Sequence, residues 1–579
     1  MTTSINSSRL RAISMPLQAV AAALLAVVLV VAPAVAGEPP TSRLKSVTPL
    51  DQVDVRMAPA VDIAALRVDD ARREADPRRP GPQRFAAPLA VDASLADAGT
   101  WEELADGSSL WRLRLASPGA LTLNLKLSSV VLPVGARLWL HSESGATMQG
   151  PYDASAVQDD GVLWTPMVLG DVAVLELHLP PGLEPEQAAL EIAALNHGYR
   201  FFGEDPTTKQ GTCNIDVVCS AADPYREQVR SVAAYSLGGF LFCTGTLMNN
   251  TALDATPYFL TADHCGISPA NASSLVTYWN FESPTCGALS NGSLAQNLIG
   301  SQWLSAFTNS DFTLLQLSQA PPASYNAYFA GWDARGLRPE SVVGVHHPSG
   351  DEKAISFEDD ALDSLDLLDI ADETHWRVND WDLGTTEPGS SGSCIFDSTT
   401  RRCVGTLTGG RAACGNNDED WYGKMSRHWN GNGTPSSRLS NWLDKAGTGQ
   451  LFLDGADDPG SGGGTPPVGD VLELRNNRFE VSVDWLDFAG EDGGGRIVTQ
   501  SSDSGLFYFF DEDNWELLVK VLDGCGLNQH YWVFSAATTD VEFTLTVTDT
   551  LRNVTRVYEN PLGVSAPAIT DTAAFATCP

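Results

Sequence analysis

Three serines stand within four residues in the stretch TTEPGSSGSC, Thr385 to Cys394, fenced by glycines and a proline. A serine hydroxyl is a poor nucleophile until a neighbouring base takes its proton, and the oxyanion formed on the attacked carbonyl needs backbone N–H donors close by. Glycines permit the tight turn that aims two such donors inward. Gly389-Ser390-Ser391-Gly392-Ser393 therefore has the composition of a nucleophile loop and oxyanion hole together, although most Gly/Ser clusters are plain turns. A base is available in YFLTADHCG, where a strand-like run delivers His264 and Cys265 follows at once. A disulfide from Cys265 to Cys243, 22 residues earlier, would pin the imidazole's loop to the preceding strand. In TNSDFTLLQL, Asp311 heads an apolar run, and a carboxylate entering a core needs a partner. Orienting an imidazole and stabilising its cation is one such use; a turn or a cap is another. Asp263, beside His264, either raises the basicity of the ring or faces solvent.

The elements that must position these residues read as short strands. Residues 37 to about 95 are rich in Pro, Asp and Arg, and DDARREADPRRPGPQR predicts an extended lead-in that buries little. From Ser109 to Ser142, and again in DVAVLELHLP, apolar and polar residues alternate between Pro and Gly breaks, which predicts a small β domain over about 96–200. Between Cys213 and about Asp458 the runs RSVAAYSL, FCTGTLM, YFLTA, SLVTYWNF, DFTLLQL, VVGVHHP and RCVGTLTG recur, with one helix signal in SSRLSNWLDKAG, closed by Gly447. Many short strands with one terminal helix predict a β barrel or sandwich. DDPGSGGGTPPVGD is a flexible tether over 457–470, and 471–579 reads as a separate β unit carrying Cys525 and Cys578.

Composition narrows the function classes. The chain has 579 residues, too many for one core. Arg9 and Arg11, the apolar run Ala19 to Val31 and the small residues Ala34-Val35-Ala36 read as a secretory signal over 1–36, and no later run is long enough to span a membrane. All ten cysteines lie at or beyond Cys213, and an even count behind an export signal predicts disulfides rather than a metal cluster. The formal charge of −36 disfavours nucleic acid and anionic lipid as partners. Lysine is scarce, 7 residues of the 36 that are basic, for which codon bias is a rival account.

The order His264, Asp311, Ser391, within TADHC, SDFTLLQL and EPGSSGS, resembles the chymotrypsin fold of serine proteases. More closely, CNIDVVC, YFLTADHCG, SDFTLL, AGWD, HHP, TEPGSSGS, SRLSNWLD and the DG at 454 resemble bacterial lysyl endopeptidases of the Lys-C type, over roughly Gln210 to Asp458. The resemblance implies a mainly β chain with a chymotrypsin-like pair of six-stranded antiparallel barrels and the triad between them, flanked by a β-rich propeptide and a C-terminal sandwich-like domain. It implies Ser391 as nucleophile, His264 as general base and then acid, Asp311 as the orienting carboxylate, and the N–H groups of Gly389 and Ser391 as the oxyanion hole. It further implies Asp420, in EDWYGK, at the foot of a pocket for a cationic side chain, with Thr386 and Glu387 flanking it and Gly409 and Gly410 pairing with substrate backbone. The implied disulfides are Cys213–Cys414, Cys219–Cys286 and Cys243–Cys265; Cys394 with Cys403 and Cys525 with Cys578 are what remains. Ser390 occupies the place where trypsin-like enzymes have an aspartate that pairs with the freed amino terminus, so activation is not expected to use that pair. The family's histidine at position 408 is a threonine here, and its tryptophan in the segment EDDALDSLDLLDIADE is missing, which leaves strict lysine over arginine selection open.

Together these features predict a secreted serine endopeptidase that needs no cofactor and no metal. It would be a monomer acting on polypeptides with basic residues, bound by its own propeptide, and would not insert into membranes. The parts are a signal peptide 1–36, a propeptide 37–209, a protease domain 210–456, a linker 457–470 and a C-terminal domain 471–579. Lys209, the lone lysine between Lys126 and Lys353, marks a self-processing site before Gln210. Cleavage is expected after lysine, with arginine as the open second choice. A non-catalytic binding or adhesion protein on the same fold, and the same protease with another primary specificity, are the rival readings.

Overall fold

A computed structural model describes residues 38–77, 81–200, 202, 210–367, 373–416, 418–457, 471–475, 478–488, 492–511, 514–552 and 554–578. The expected signal peptide, Lys209 and most of the expected linker lie outside them. The described chain is mainly β.

Strands between residues 55 and 198 form two sheets packed face to face. One runs in the order Val55–Met57, Ser109–Ala116, Val172–Leu179, Arg137–Ser142, Met148–Tyr152; the other runs Val168–Leu169, Thr122–Val131, Ala189–Gly198, Ala86–Leu89. The alternation seen in the sequence is what closes this core: Leu123, Leu125 and Leu127 on one strand and Leu175, Leu177 and Leu179 on another are fully buried, because a period of two turns every second side chain to one face. The lead-in departs from expectation. Ile63–Arg73 is a helix whose N-terminus is capped by Asp62, which accepts from the Ala65 N–H at 3.0 Å. Asp70, on that helix, is buried against Arg84 and accepts from the Tyr199 hydroxyl at 2.6 Å. The charged run DDARRE is thus anchored by one carboxylate satisfied by long-range partners, which composition alone does not reveal.

The central unit consists of two antiparallel sheets. The first runs Asn297–Ile299, Val276–Tyr278, Val232–Leu237, Leu241–Met248, Tyr258–Thr261, Phe312–Leu317, Ser301–Phe307. The second runs Ile215–Asp216, Ala354–Glu358, Val342–His346, Cys394–Asp397, Cys403–Gly410, Asp420–Lys424, His375–Val378, Asp363–Leu365. Both exceed six strands because short edge strands add to them. One core cluster joins the two sheets, with Leu260, Phe312 and Leu314 meeting Val343, Val345 and Phe396, so the seam where the loops converge is rigid. The expected terminal helix is one turn, Ser440–Leu443, burying Leu439 and Leu443; a second helix, Met425–Asn430, was not signalled by spacing.

Beyond the linker two further sheets pack as a sandwich around Phe479, Val481, Phe507, Val519, Val533 and Leu545. All five disulfides are those expected: Cys213–Cys414, Cys219–Cys286, Cys243–Cys265, Cys394–Cys403 and Cys525–Cys578.

Candidate active site

The strand Tyr258–Thr261 ends in a single turn, Asp263–Cys265, which carries His264. The Cys243–Cys265 disulfide ties this turn to the neighbouring strand Leu241–Met248. Asp311, at the start of Phe312–Leu317, is 3% exposed and grips His264 twice. Its Oδ2 lies 2.7 Å from the ring Nδ1, and its Oδ1 accepts the His264 backbone N–H at 2.9 Å. Burial pushes this carboxyl up, but the His264 charge and hydrogen bonds outweigh it and hold Asp311 below the usual carboxylate range. Asp311 has φ +59, a left-handed conformation unusual outside glycine. The other ring nitrogen, Nε2, is buried and has no hydrogen-bond partner among the described residues. Asp263 does not face solvent freely: it is half-buried beside the Thr313 hydroxyl, burial raises its carboxyl, and the His264 charge acts on it in the opposite direction.

Ser391 stands in the loop before Cys394–Asp397. Thr244, next to Cys243, binds this loop with both donors: its N–H reaches the Ser391 carbonyl and its hydroxyl the Gly389 carbonyl, each at 2.9 Å. Gly392, with φ +85, sits so close to the strand delivering His264 that a Cβ there would lie 2.1 Å from Thr261 Oγ1 and 2.7 Å from the Ala262 nitrogen. The backbone of the Ser391 loop thereby lies against the strand end that delivers His264, and no hydrogen bond joins the Ser391 hydroxyl to His264 Nε2. Gly389, with φ +102, packs on Phe242 and on the Gly350 nitrogen. Among the described residues, neither the Gly389 nor the Ser391 N–H donates a hydrogen bond, so both are available to a ligand oxygen. Ser390, by contrast, is committed: its hydroxyl lies 2.9 Å from Nδ1 of the buried His346, whose other nitrogen meets Ser356, and burial lowers that imidazole to about 3.

Asp420 is 1% exposed on the strand beside Cys403–Gly410. Its Oδ2 accepts the Trp381 indole N–H at 2.8 Å and the Thr386 hydroxyl at 2.7 Å, the Ala412 backbone also approaches the carboxyl, and Oδ1 makes no hydrogen bond of good geometry among the described residues. Burial pushes this carboxyl up to about 6. Gly410 leaves the room in front of it, since a Cβ there would lie 1.8 Å from Oδ1. Gly409 and Gly410 pair with Trp421 and Asp420 on one side; on the other, pairing with Cys394–Asp397 ends at Thr406, leaving that backbone edge without a strand among the described residues. Thr386 therefore joins Asp420, but Glu387 does not: its carboxylate accepts the Gly211 N–H at 3.0 Å and the Ser349 hydroxyl at 2.8 Å.

Three contributors were not identified from sequence. Trp381 reaches Asp420 from 39 positions away. Thr408 hydrogen-bonds Asp311 and, at 3.1 Å, Nε2 of His375, so an imidazole stands behind the threonine that fills the histidine position. His375 is kept neutral by burial, lowered to about 4. The closeness of His264 to Cys243 and Cys265 makes no metal site, since both sulfurs are consumed in a disulfide.

Two family models match the chain: the lysyl endopeptidase N-terminal domain over residues 56–199 and the lysyl endopeptidase C-terminal domain over residues 207–423. A lysyl endopeptidase of Pseudomonas aeruginosa is 27% identical over 353 residues, covering 54% of this chain and 72% of that protein. Solved structures similar to parts of the chain include a Glu endopeptidase in complex with MPD, 15% identical over 36% of this chain and 90% of that one with a TM-score of 0.24. Another is an HL collagenase, 13% identical over 35% and 90% with a TM-score of 0.23.

Proposed function

Since the chain belongs to the lysyl endopeptidase family and is a serine endopeptidase, we propose that it is secreted as a precursor and hydrolyses peptide bonds after lysine through an acyl-enzyme on Ser391. The observation that carries the specificity is Oδ1 of Asp420, which makes no hydrogen bond of good geometry among the described residues and is buried at the foot of a space kept open by Gly410. An ionised carboxylate in such a place is costly until a cation arrives, so a lysine ammonium is taken in preference to neutral side chains. An acidic side chain is repelled.

The Asp311 grip on His264 Nδ1 and the unpartnered Nε2 support a base-assisted attack by serine. His264 Nε2 takes the proton of the Ser391 hydroxyl as its oxygen attacks the carbonyl carbon, and Asp311 stabilises the imidazolium through Nδ1. The N–H groups of Gly389 and Ser391 bind the oxyanion. His264 then gives the proton to the departing amine, and water repeats the sequence to release the acid and restore Ser391. The free edge at Gly409 and Gly410 suits a substrate strand laid alongside it. Residues 1–36 act as signal and 37–209 as propeptide, whose strand Gln83–Arg84 pairs with Leu241–Phe242, just before the Cys243 and Thr244 that hold the site. No function is assigned to residues 471–579.

The test is hydrolysis of matched lysyl, arginyl and glutamyl esters by the processed enzyme and by Ser391→Ala. The lysyl ester is expected to be fastest, the glutamyl ester unreactive and Ser391→Ala inert; equal turnover by that variant overturns the enzymatic reading, and faster arginyl or glutamyl turnover overturns the specificity.

A further inference from the structure

Gln210 is buried, 5% exposed, and its backbone nitrogen lies 3.2 Å from Oδ2 of Asp351, itself 3% exposed. Its side-chain amide donates to the Glu352 carbonyl at 3.1 Å, fixing the residue in place. The next residue, Gly211, donates its N–H to Glu387 at 3.0 Å, and a Cβ on it would lie 2.3 Å from the Cys414 sulfur, so the segment is held in a tight slot. Asp351 follows Gly350 and Glu387 precedes Gly389 by two residues, so both stand next to the Gly389–Ser391 loop. Gly350, preceding Asp351, packs against Gly389, where a Cβ would lie 2.9 Å from its nitrogen. Glu387 accepts from Ser349 and, through its carbonyl, from the Ser390 N–H at 3.0 Å.

We propose that the amino group released at Gln210 is held as an ammonium by Asp351, and that this ion pair, transmitted through Gly350 and Glu387, keeps the Gly389–Ser391 loop in its working shape. The proposal rests on the reading that the chain is cut between Lys209 and Gln210. In that hydrolysis the peptide C–N bond breaks, water supplies hydroxyl to the Lys209 carbonyl and hydrogen to the Gln210 nitrogen, and the amine then takes up a proton. A neutral N–H bond to Asp351 becomes a charge-assisted one without any group having to travel. Ser390, bound to His346, does not compete for the ammonium. Asp351 is a positioning residue here, acting on the N–H donors rather than on substrate. Among the described residues, the ionisable groups near the pair include Glu352, Glu387, Lys353 and the imidazole of His347, which contacts the Asp351 carbonyl and is kept neutral by burial and by the Lys353 charge.

The experiment compares processed wild type with Asp351→Asn and Asp351→Glu on a lysyl ester. N-terminal sequencing comes first, and a start other than Gln210 overturns the processing reading on which the proposal rests. Given a Gln210 start, kcat of Asp351→Asn is expected to fall about tenfold or more with KM little changed. Wild type should lose kcat on the alkaline side, as an α-amino group that ordinarily titrates near about 8 gives up its proton. Asp351→Asn should lack that limb, and Asp351→Glu should recover much of the rate. An Asp351→Asn enzyme with wild-type kcat and an unchanged alkaline limb overturns the proposal. A second measurement covers a variant that does not fold: acylation of the α-amino group of native wild type, located by mass spectrometry, is expected to be slow and to inactivate; full activity after stoichiometric acylation overturns the proposal.

Discussion

In the proposed reading, Asp420 serves substrate binding at the expense of stability. A carboxyl that titrates near about 6 in the folded protein and about 3.9 when unfolded takes up protons more readily folded. Its contribution to stability is therefore complete below the unfolded value and lost as pH rises through the folded one. Asp420→Asn, which removes the charge and keeps the shape, is expected to unfold at higher temperature than wild type at pH 8, by an amount on the order of 2 kcal/mol, and to show no difference at pH 3. The same substitution should lower kcat/KM for a lysyl ester by about 10²- to 10³-fold, mostly in KM, because the incoming ammonium loses its charged partner. Wild type should bind lysine ligands more weakly as pH falls through about 6, where the carboxyl protonates. Thermal unfolding and steady-state kinetics over that range check all three; equal stability at pH 8 would show that the carboxylate is already compensated.

The elements meet in pairs at the seam, and covalent ties stand where the site needs them. The turn Asp263–Cys265 is too short to hold a conformation alone, yet it must present His264 to Asp311 and to the Ser391 loop. The Cys243–Cys265 bridge and Thr244, its neighbour, attach that turn and that loop to the same strand. Replacing both cysteines with alanine is expected to lower stability by about 3 kcal/mol, from the freedom the unfolded chain regains. The kcat should fall further than the fraction unfolded explains, because His264 would sample other orientations. Denaturant melts paired with kcat at temperatures well below the transition separate the two effects; an unchanged kcat would mean that Asp311 suffices to hold the ring.

At the scale of the whole molecule, two of the three lysines between residues 210 and 456 are withdrawn from solvent. Lys353 is fully buried with its ammonium on Glu282 and the Val229 carbonyl. Lys424 is 6% exposed, whereas Lys445 is exposed, with its ammonium paired to Asp254. Full-length Ser391→Ala is accordingly expected to remain intact on secretion, while wild type yields a mature species beginning at Gln210, as mass spectrometry of culture supernatants would show. Processing of Ser391→Ala in the absence of other proteases would contradict self-cleavage. The Gln83–Arg84 strand on Leu241–Phe242 adds a second expectation, that the unprocessed chain cleaves polypeptides more slowly than the mature one.

The candidate reacting groups stand in local motifs, since TADHC, SDFTLL and EPGSSGS each place one side chain at a strand end or tight turn whose conformation a few neighbouring residues specify. The same holds for the alternating strands of both flanking units, where a period of two assigns faces without reference to the rest of the chain. The surroundings of those groups were not legible. Trp381 beside Asp420, His375 behind Thr408, Glu387 turned toward Gly211, and Asp70 buried in a charged helix all depend on segments tens to more than a hundred residues apart becoming neighbours. Burial and the partners of a buried charge are set by which strands pair and how two sheets pack, and a single sequence encodes those long-range choices only through the energy of the assembled whole.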